Sequence, residues 1–145
     1  MFIVSWLSIG LIGFILIKSL TEFINSGPGE TNERFSEGRF SLEIFYTLLI
    51  TYTIVIIGFG LIYLLLSFQG VILVEGDKLR QVGFVGSLIH SFYFSGVTML
   101  TIGYGDIVPI GVGRFVALIQ ALIGYVLPTA FVLRLVVTTK EKVEE

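Results

Sequence analysis

Cysteine is absent from this chain, and histidine occurs once, as His90. The first absence rules out disulfides, thiolate metal centres and cysteine nucleophiles; the second leaves histidine-built metal sites and triads without material inside one chain. Charge is scarce as well. Only 14% of the residues are charged, where a soluble domain carries about a quarter. The balance is −2 at pH 7, so no basic excess points to nucleic acid as a partner. Acid–base and metal-ligand constellations have little to be built from, and the chain is not expected to be an enzyme. What is abundant is apolar surface: 54% of the 145 residues are hydrophobic and mean hydropathy is +0.95, the composition of a bilayer protein.

Three stretches are apolar enough to span. Ile44 to Phe68 runs 25 residues without a charge, beyond the roughly 20 a helical span needs. Phe115 to Leu133 gives 19 uncharged residues, extended by Leu135, Val136 and Val137 past Arg134. Phe2 to Ile17 gives 16, which Leu20, Phe23 and Ile24 lengthen past Lys18. A signal peptide is the rival for that first stretch, but it has no basic start and no small-residue cleavage site close behind it. A retained helix is expected.

A fourth uncharged stretch, Gln81 to Gly105, carries His90 and the glycines 83, 86, 96, 103 and 105. A straight span would drag these through lipid. A re-entrant loop explains them better, because non-helical backbone is tolerated at membrane depth only where protein or water surrounds it. Ser87 is the expected N-cap, followed by a short helix Leu88 to Leu100 whose C-terminal end aims partial negative charge at a cation. With this loop outside, the inner segments hold Lys18, Arg34, Arg39, Arg134, Lys140 and Lys142, against Lys78, Arg80 and Arg114 outside. This distribution agrees with the positive-inside rule and puts the C-terminus in the cytoplasm.

Asn25 to Phe40, with its Gly27-Pro28-Gly29 break, reads as a cytoplasmic linker, with a surface helix around Thr31 to Ser41 as an option. Val71 to Val74 and Leu79 to Val82 flank the turn Glu75-Gly76-Asp77-Lys78 and suggest a hairpin turret, an irregular loop being the alternative. No internal repeat is visible.

The most informative string is Thr101-Ile102-Gly103-Tyr104-Gly105-Asp106. It resembles the selectivity filter of the prokaryotic two-helix potassium channels of pore-loop type, the standard case of ion coordination by backbone carbonyls. Such carbonyls replace the ion's water without a fixed charge that would trap it. For them to point the same way, alternate residues take dihedrals that side chains resist, and Gly103 and Gly105 permit this. Ile102 and Tyr104 alternate with them and are expected to point into protein, the tyrosine bracing the loop.

The resemblance covers Leu42 to Lys140 and is most specific from Phe92 to Gly124. It implies an all-α membrane protein: residues 1–41 as an N-terminal helix and linker, 42–140 as a pore domain, 141–145 as a short tail. Within the pore domain it implies an outer helix over 42–68, a turret over 69–86, a pore helix over 87–100, the filter over 101–105 and an inner helix over 113–138. K⁺ ions are implied to sit in the row Thr101, Ile102, Gly103, Tyr104 and Gly105, on the carbonyls of the first four and the Thr101 hydroxyl. Asp106 to Pro109 is similar to the outer mouth, and Gly113-Arg114 to the start of the inner helix. Tyr93 and Phe94 match an aromatic cuff around the filter tyrosine. Val97 stands where some members carry a glutamate that partners the filter aspartate, so Asp106 is expected to turn to Tyr93 or to water. Leu100 replaces a frequent threonine. Gly124 matches a gating-hinge glycine, and Pro128 is expected to kink the helix.

Helical spacing makes Tyr125, Pro128, Val132 and Val136 candidate pore-lining residues, a lipid- or protein-facing stripe being the alternative. Arg134 is placed to snorkel or to meet lipid headgroups. One pore loop cannot enclose an ion, so several copies around an axis are needed, and the resemblance implies four. The expected partners are therefore three further copies, membrane lipids and K⁺, with an unidentified regulatory subunit left open. The first helix lacks the repeated basic residues of a voltage sensor, and the 12 residues after Leu133 are too few for a ligand-binding domain. The expected function is a potassium-selective channel of the cell membrane; the alternatives are a weakly selective cation channel or a non-conducting accessory subunit with a pore-like fold.

Overall fold

The computed structural model describes residues 2–25, 37–75 and 83–141. Four helices and two short strands follow in the order α1 (Phe2–Asn25), α2 (Glu37–Ser67), β1 (Leu73–Glu75), α3 (Phe84–Met99), β2 (Ile107–Pro109) and α4 (Val112–Glu141). Three helices are long and apolar enough to cross a membrane, over Ile3–Glu22, Phe45–Ser67 and Val112–Leu133. The fold is a helical, pore-type membrane architecture with an additional N-terminal span.

Helix α2 is the hub. Half of its spanning window is buried within the chain, against 6% for α1 and 17% for α4. One side of α2 meets α1 and the other meets α3 and α4. The α1 joint is apolar: a Cβ on Gly58 would sit 2.6 Å from Leu16 Cδ2, so the missing side chain is what seats Leu16, itself buried. On the far side Val55, Phe59, Ile62, Tyr63 and Leu66 join Phe94, Met99, Ile107 and Leu127 in the core. The Tyr63 and Phe94 rings meet edge to face at 5.1 Å.

Several boundaries differ from the sequence expectation. Helix α3 starts at Phe84, not after Ser87; its cap is Gly83, in extended conformation and with no side-chain cap bond. Ser87 N donates to Gly83 O at 3.0 Å, so Ser87 lies inside the first turn. The physical reason is the ring of Phe84, stacked on Phe68 at 6.0 Å and 11°, which ties the early turn to the end of α2. Leu100 caps the other end of α3. Helix α2 reaches back to Glu37, so residues 37–41 are its first turns and not linker. The remaining linker, 26–36, and the tail beyond 141 lie outside the described residues.

The first run of the expected turret finds a partner far along the chain. The run ending at Val74 pairs with the segment after the filter: β1 and β2 are antiparallel, with Leu73 opposite Pro109, Val74 opposite Val108 and Glu75 opposite Ile107. Ile110 N donates to Ile72 O at 2.8 Å and extends the pairing. Ile107-Val108-Pro109 offers a short β-prone partner that lies close in space, and local turn chemistry could not reveal it. The second run of the expected hairpin, 79–82, and its turn beyond Glu75 lie outside the described residues.

Candidate ion-conducting site

The filter string hangs from the C-terminal end of α3. Leu100 N bonds Gly96 O at 3.0 Å and Thr101 N bonds Thr98 O at 3.1 Å. Two amides then converge on one carbonyl: Ile102 N and Gly103 N donate to Val97 O at 2.9 and 3.3 Å. Val97 thus holds the start of this string through its backbone carbonyl, an arrangement no side-chain reading could assign it.

Beyond that point the backbone alternates. Thr101, Gly103 and Gly105 have φ of 56°, 57° and 77°, while Ile102 and Tyr104 between them keep ordinary φ. Positive φ at the two glycines is the freedom expected of them. Thr101 was not expected to share it. A β-branched residue at positive φ is strained, by about 1–3 kcal/mol, and such strain gathers at functional sites. Ile102 and Tyr104 were expected to face protein, yet within one chain they meet little: Tyr104 is 70% exposed and Ile102 is 47% exposed.

Asp106 follows Gly105, the last glycine of the string. Tyr93 Oη donates to Asp106 Oδ2 at 2.7 Å, and Ile107 N donates to Asp106 Oδ1 at 3.0 Å. With valine at position 97, tyrosine is thus the carboxylate's partner. The hydrogen bond from Tyr93 is the main influence holding the Asp106 carboxyl below its ordinary range. The same bond, with partial desolvation and nearby negative charge, pushes the Tyr93 phenol up to about 12. His90 Nε2 stands 3.8 Å from Glu75 Oε2, tying α3 to β1 beside this corner.

Within the chain Phe94 makes ordinary apolar packing. It is 5% exposed and packed against Tyr63, because its position on α3 turns it towards α2. Gly124 has an immediate steric role: a Cβ there would collide with the Met99 carbonyl, so α4 crosses the end of α3 at backbone contact. Tyr52 Oη donates to Gly124 O at 3.2 Å from the α2 side. Pro128 lies within α4, which continues through it. Tyr125, Val132 and Val136 are exposed on the single chain.

Sequence reading missed one group of residues. Gln120, Ser95 and Tyr63 form a buried hydrogen-bonded cluster joining α4, α3 and α2. The available signal was Gln120 itself, an amide in the middle of an uncharged span, where an unsatisfied polar group is costly. Among the described residues no group of three or more His, Cys, Asp or Glu could hold a metal ion.

Comparison with known proteins bears on the whole pore region. Residues 51–141 match the family described as Ion channel. The chain is 33% identical over 129 residues to Protein LctB of Bacillus caldotenax, covering 88% of this chain and 92% of that protein. It is 32% identical, at the same coverage, to Protein LctB of Geobacillus stearothermophilus. No solved structure matches. The family match spans well over half of the chain and takes in α3, the filter string and α4, so this protein belongs to the ion channel family.

Proposed function

We propose that the protein is a potassium-selective channel in which four copies surround one axis and K⁺ passes in single file along the filter carbonyls. The observation that carries this reading is the alternation of positive φ at Thr101, Gly103 and Gly105, the pattern a backbone needs if successive carbonyls are to face one side. Four such rows facing an axis supply the oxygens that replace an ion's water. The Thr101 hydroxyl adds a ligand at the inner end. Uncovered apolar surface supports the tetramer: Ile102 and Tyr104 on the filter, with Phe115, Leu118 and Leu122 on α4, form a face a neighbouring copy would cover. In this reading the Asp106 corner lies at the extracellular mouth of a cell-membrane channel, and the end of α4 lies in the cytoplasm.

The test is the reversal potential of purified protein in planar bilayers under opposed K⁺ and Na⁺ gradients. Reversal near the K⁺ equilibrium potential is expected. Current that reverses near zero would overturn selectivity, and absence of current from fully assembled protein would favour the accessory-subunit alternative.

A further inference from the structure

We infer that Gln120 is a positioning residue through which the inner helix α4 sets the geometry of the filter; this rests on the potassium-channel reading above. The amide is 0% exposed and fully engaged. Gln120 Oε1 accepts from Tyr63 Oη at 2.9 Å. Gln120 Nε2 donates to Ser95 O at 2.9 Å and to Ser95 Oγ at 2.8 Å. Ser95 Oγ passes the series on, donating to Ile56 O at 2.8 Å. The run of donors therefore starts on α2 at Tyr63, crosses α4 and α3, and returns to α2 at Ile56. Both amide protons and the amide oxygen are used, and turning the amide over would set its oxygen against the Ser95 carbonyl. The side chain has one acceptable orientation.

Its location gives the cluster a role beyond adhesion. Ser95 lies in the last turn and a half of α3, two residues before Val97, whose carbonyl holds the amides of Ile102 and Gly103. A tilt or slide of this turn moves the first carbonyls of the filter with it. One turn along α4 from Gln120, Gly124 lies against the Met99 carbonyl at the end of the same helix. The inner helix thus grips the pore helix at two successive points, once by hydrogen bonds and once by backbone contact. Pro128 follows four residues later. A displacement of α4 starting near Pro128, where the helix lacks a backbone donor, reaches the filter through Gln120, from behind the pore helix.

Two variants separate positioning from simple stabilisation. Gln120→Leu removes the link and leaves the Tyr63 hydroxyl orphaned. Gln120→Leu with Tyr63→Phe removes both polar partners, and replacing both members of a buried pair by apolar groups of like shape is nearly neutral for stability. The measurements are the thermal midpoint in detergent and the K⁺/Na⁺ permeability ratio in bilayers. The single variant is expected to lower both. The double variant is expected to recover the thermal midpoint while its permeability ratio stays about tenfold below wild type, the effect of losing one net hydrogen bond's worth of preference. A ratio that returns together with stability, or that neither variant changes, overturns the inference. If the wild-type protein itself proves non-selective, the conduction reading fails first. Hydrogen exchange at Thr101 to Gly105 then decides separately: faster exchange in the double variant upholds positioning, and unchanged exchange refutes it.

Discussion

The two sides of α2 solve the same problem differently. Towards α1 the contact described is apolar, Leu16 seated in the notch at Gly58. Towards α3 and α4 it is pinned by hydrogen bonds from Tyr52, Tyr63, Ser95 and Gln120 and by the contact of Gly124 with Met99. In a bilayer the difference matters, because lipid tails are as apolar as leucine and apolar contact alone yields little net association. Interhelical hydrogen bonds and close backbone approach supply what the hydrophobic effect does not. The pore side is therefore built to hold one geometry, while α1 is attached by packing that lipid could replace.

The sharpest way to break this comparison is at Gly124. Helix propensity alone favours a larger residue there over glycine, but any Cβ meets a backbone carbonyl that cannot swing aside. Gly124→Val is expected to cost about 3 kcal/mol or more, beyond ordinary overpacking, and to reduce the yield of assembled protein. Thermal unfolding in detergent and size-exclusion profiles would measure it. A variant of wild-type stability would mean that α4 does not cross α3 at contact.

Tyr63→Phe comes next. The ring keeps its edge-to-face contact with Phe94, so the loss isolates the hydroxyl and leaves Gln120 Oε1 without its donor. A destabilisation of about 1–2 kcal/mol is expected in thermal or denaturant unfolding. An effect near zero would indicate that the amide finds another donor and that the polar pin is less demanding than its burial implies.

The corner at Asp106 and Tyr93 is a polar link of another kind, at the water's edge, and it titrates. Asp106 is held below its ordinary range, so its contribution is present above about pH 3.8 and fades as pH falls through the lower folded value. Tyr93 is raised to about 12, so its contribution is present below pH ~10 and fades as pH rises through that value. Asp106→Ala removes both the hydrogen-bond acceptor, the main cause of the Tyr93 shift, and the charge. The phenol is then expected to titrate closer to pH 10, read from tyrosinate absorbance, with a wild-type profile counting against the bond.

These contrasts also show where sequence reasoning reached and where it stopped. Uncharged runs located the three spans because bilayer thickness sets a length that composition can satisfy or fail. The Asp106–Tyr93 bond was legible because Val97 removed the other local partner. The partners of β1 and Phe94 were not, since alternation and helical spacing tell which face a residue occupies but not what covers it. Ser87 looked like the cap, yet the stacking of Phe84 on Phe68 decided the start of α3. Thr101 entered positive φ because the strand needs alternation one step before the glycines begin. Gln120 could be flagged as an anomaly in an apolar helix, but its three contacts come from two other helices, 25 and 57 residues away in the chain.

The smallest effect belongs to the α1 joint. A methyl at Gly58 would press on Leu16 Cδ2, Cδ1 and Cγ, the branched end of a buried side chain on a helix that is otherwise mostly exposed. Leu16 can change rotamer, and α1 can shift outward into lipid without exposing a polar group. Gly58→Ala also gains helix propensity of about 1 kcal/mol, which offsets the crowding. The net change in thermal stability is expected to stay within about 1 kcal/mol, because the propensity gain works against the crowding of Leu16. Selectivity and filter exchange should match wild type. A loss as large as that of Gly124→Val would show that α1 is locked to the pore as firmly as α4, and the contrast between the two sides of α2 would fail.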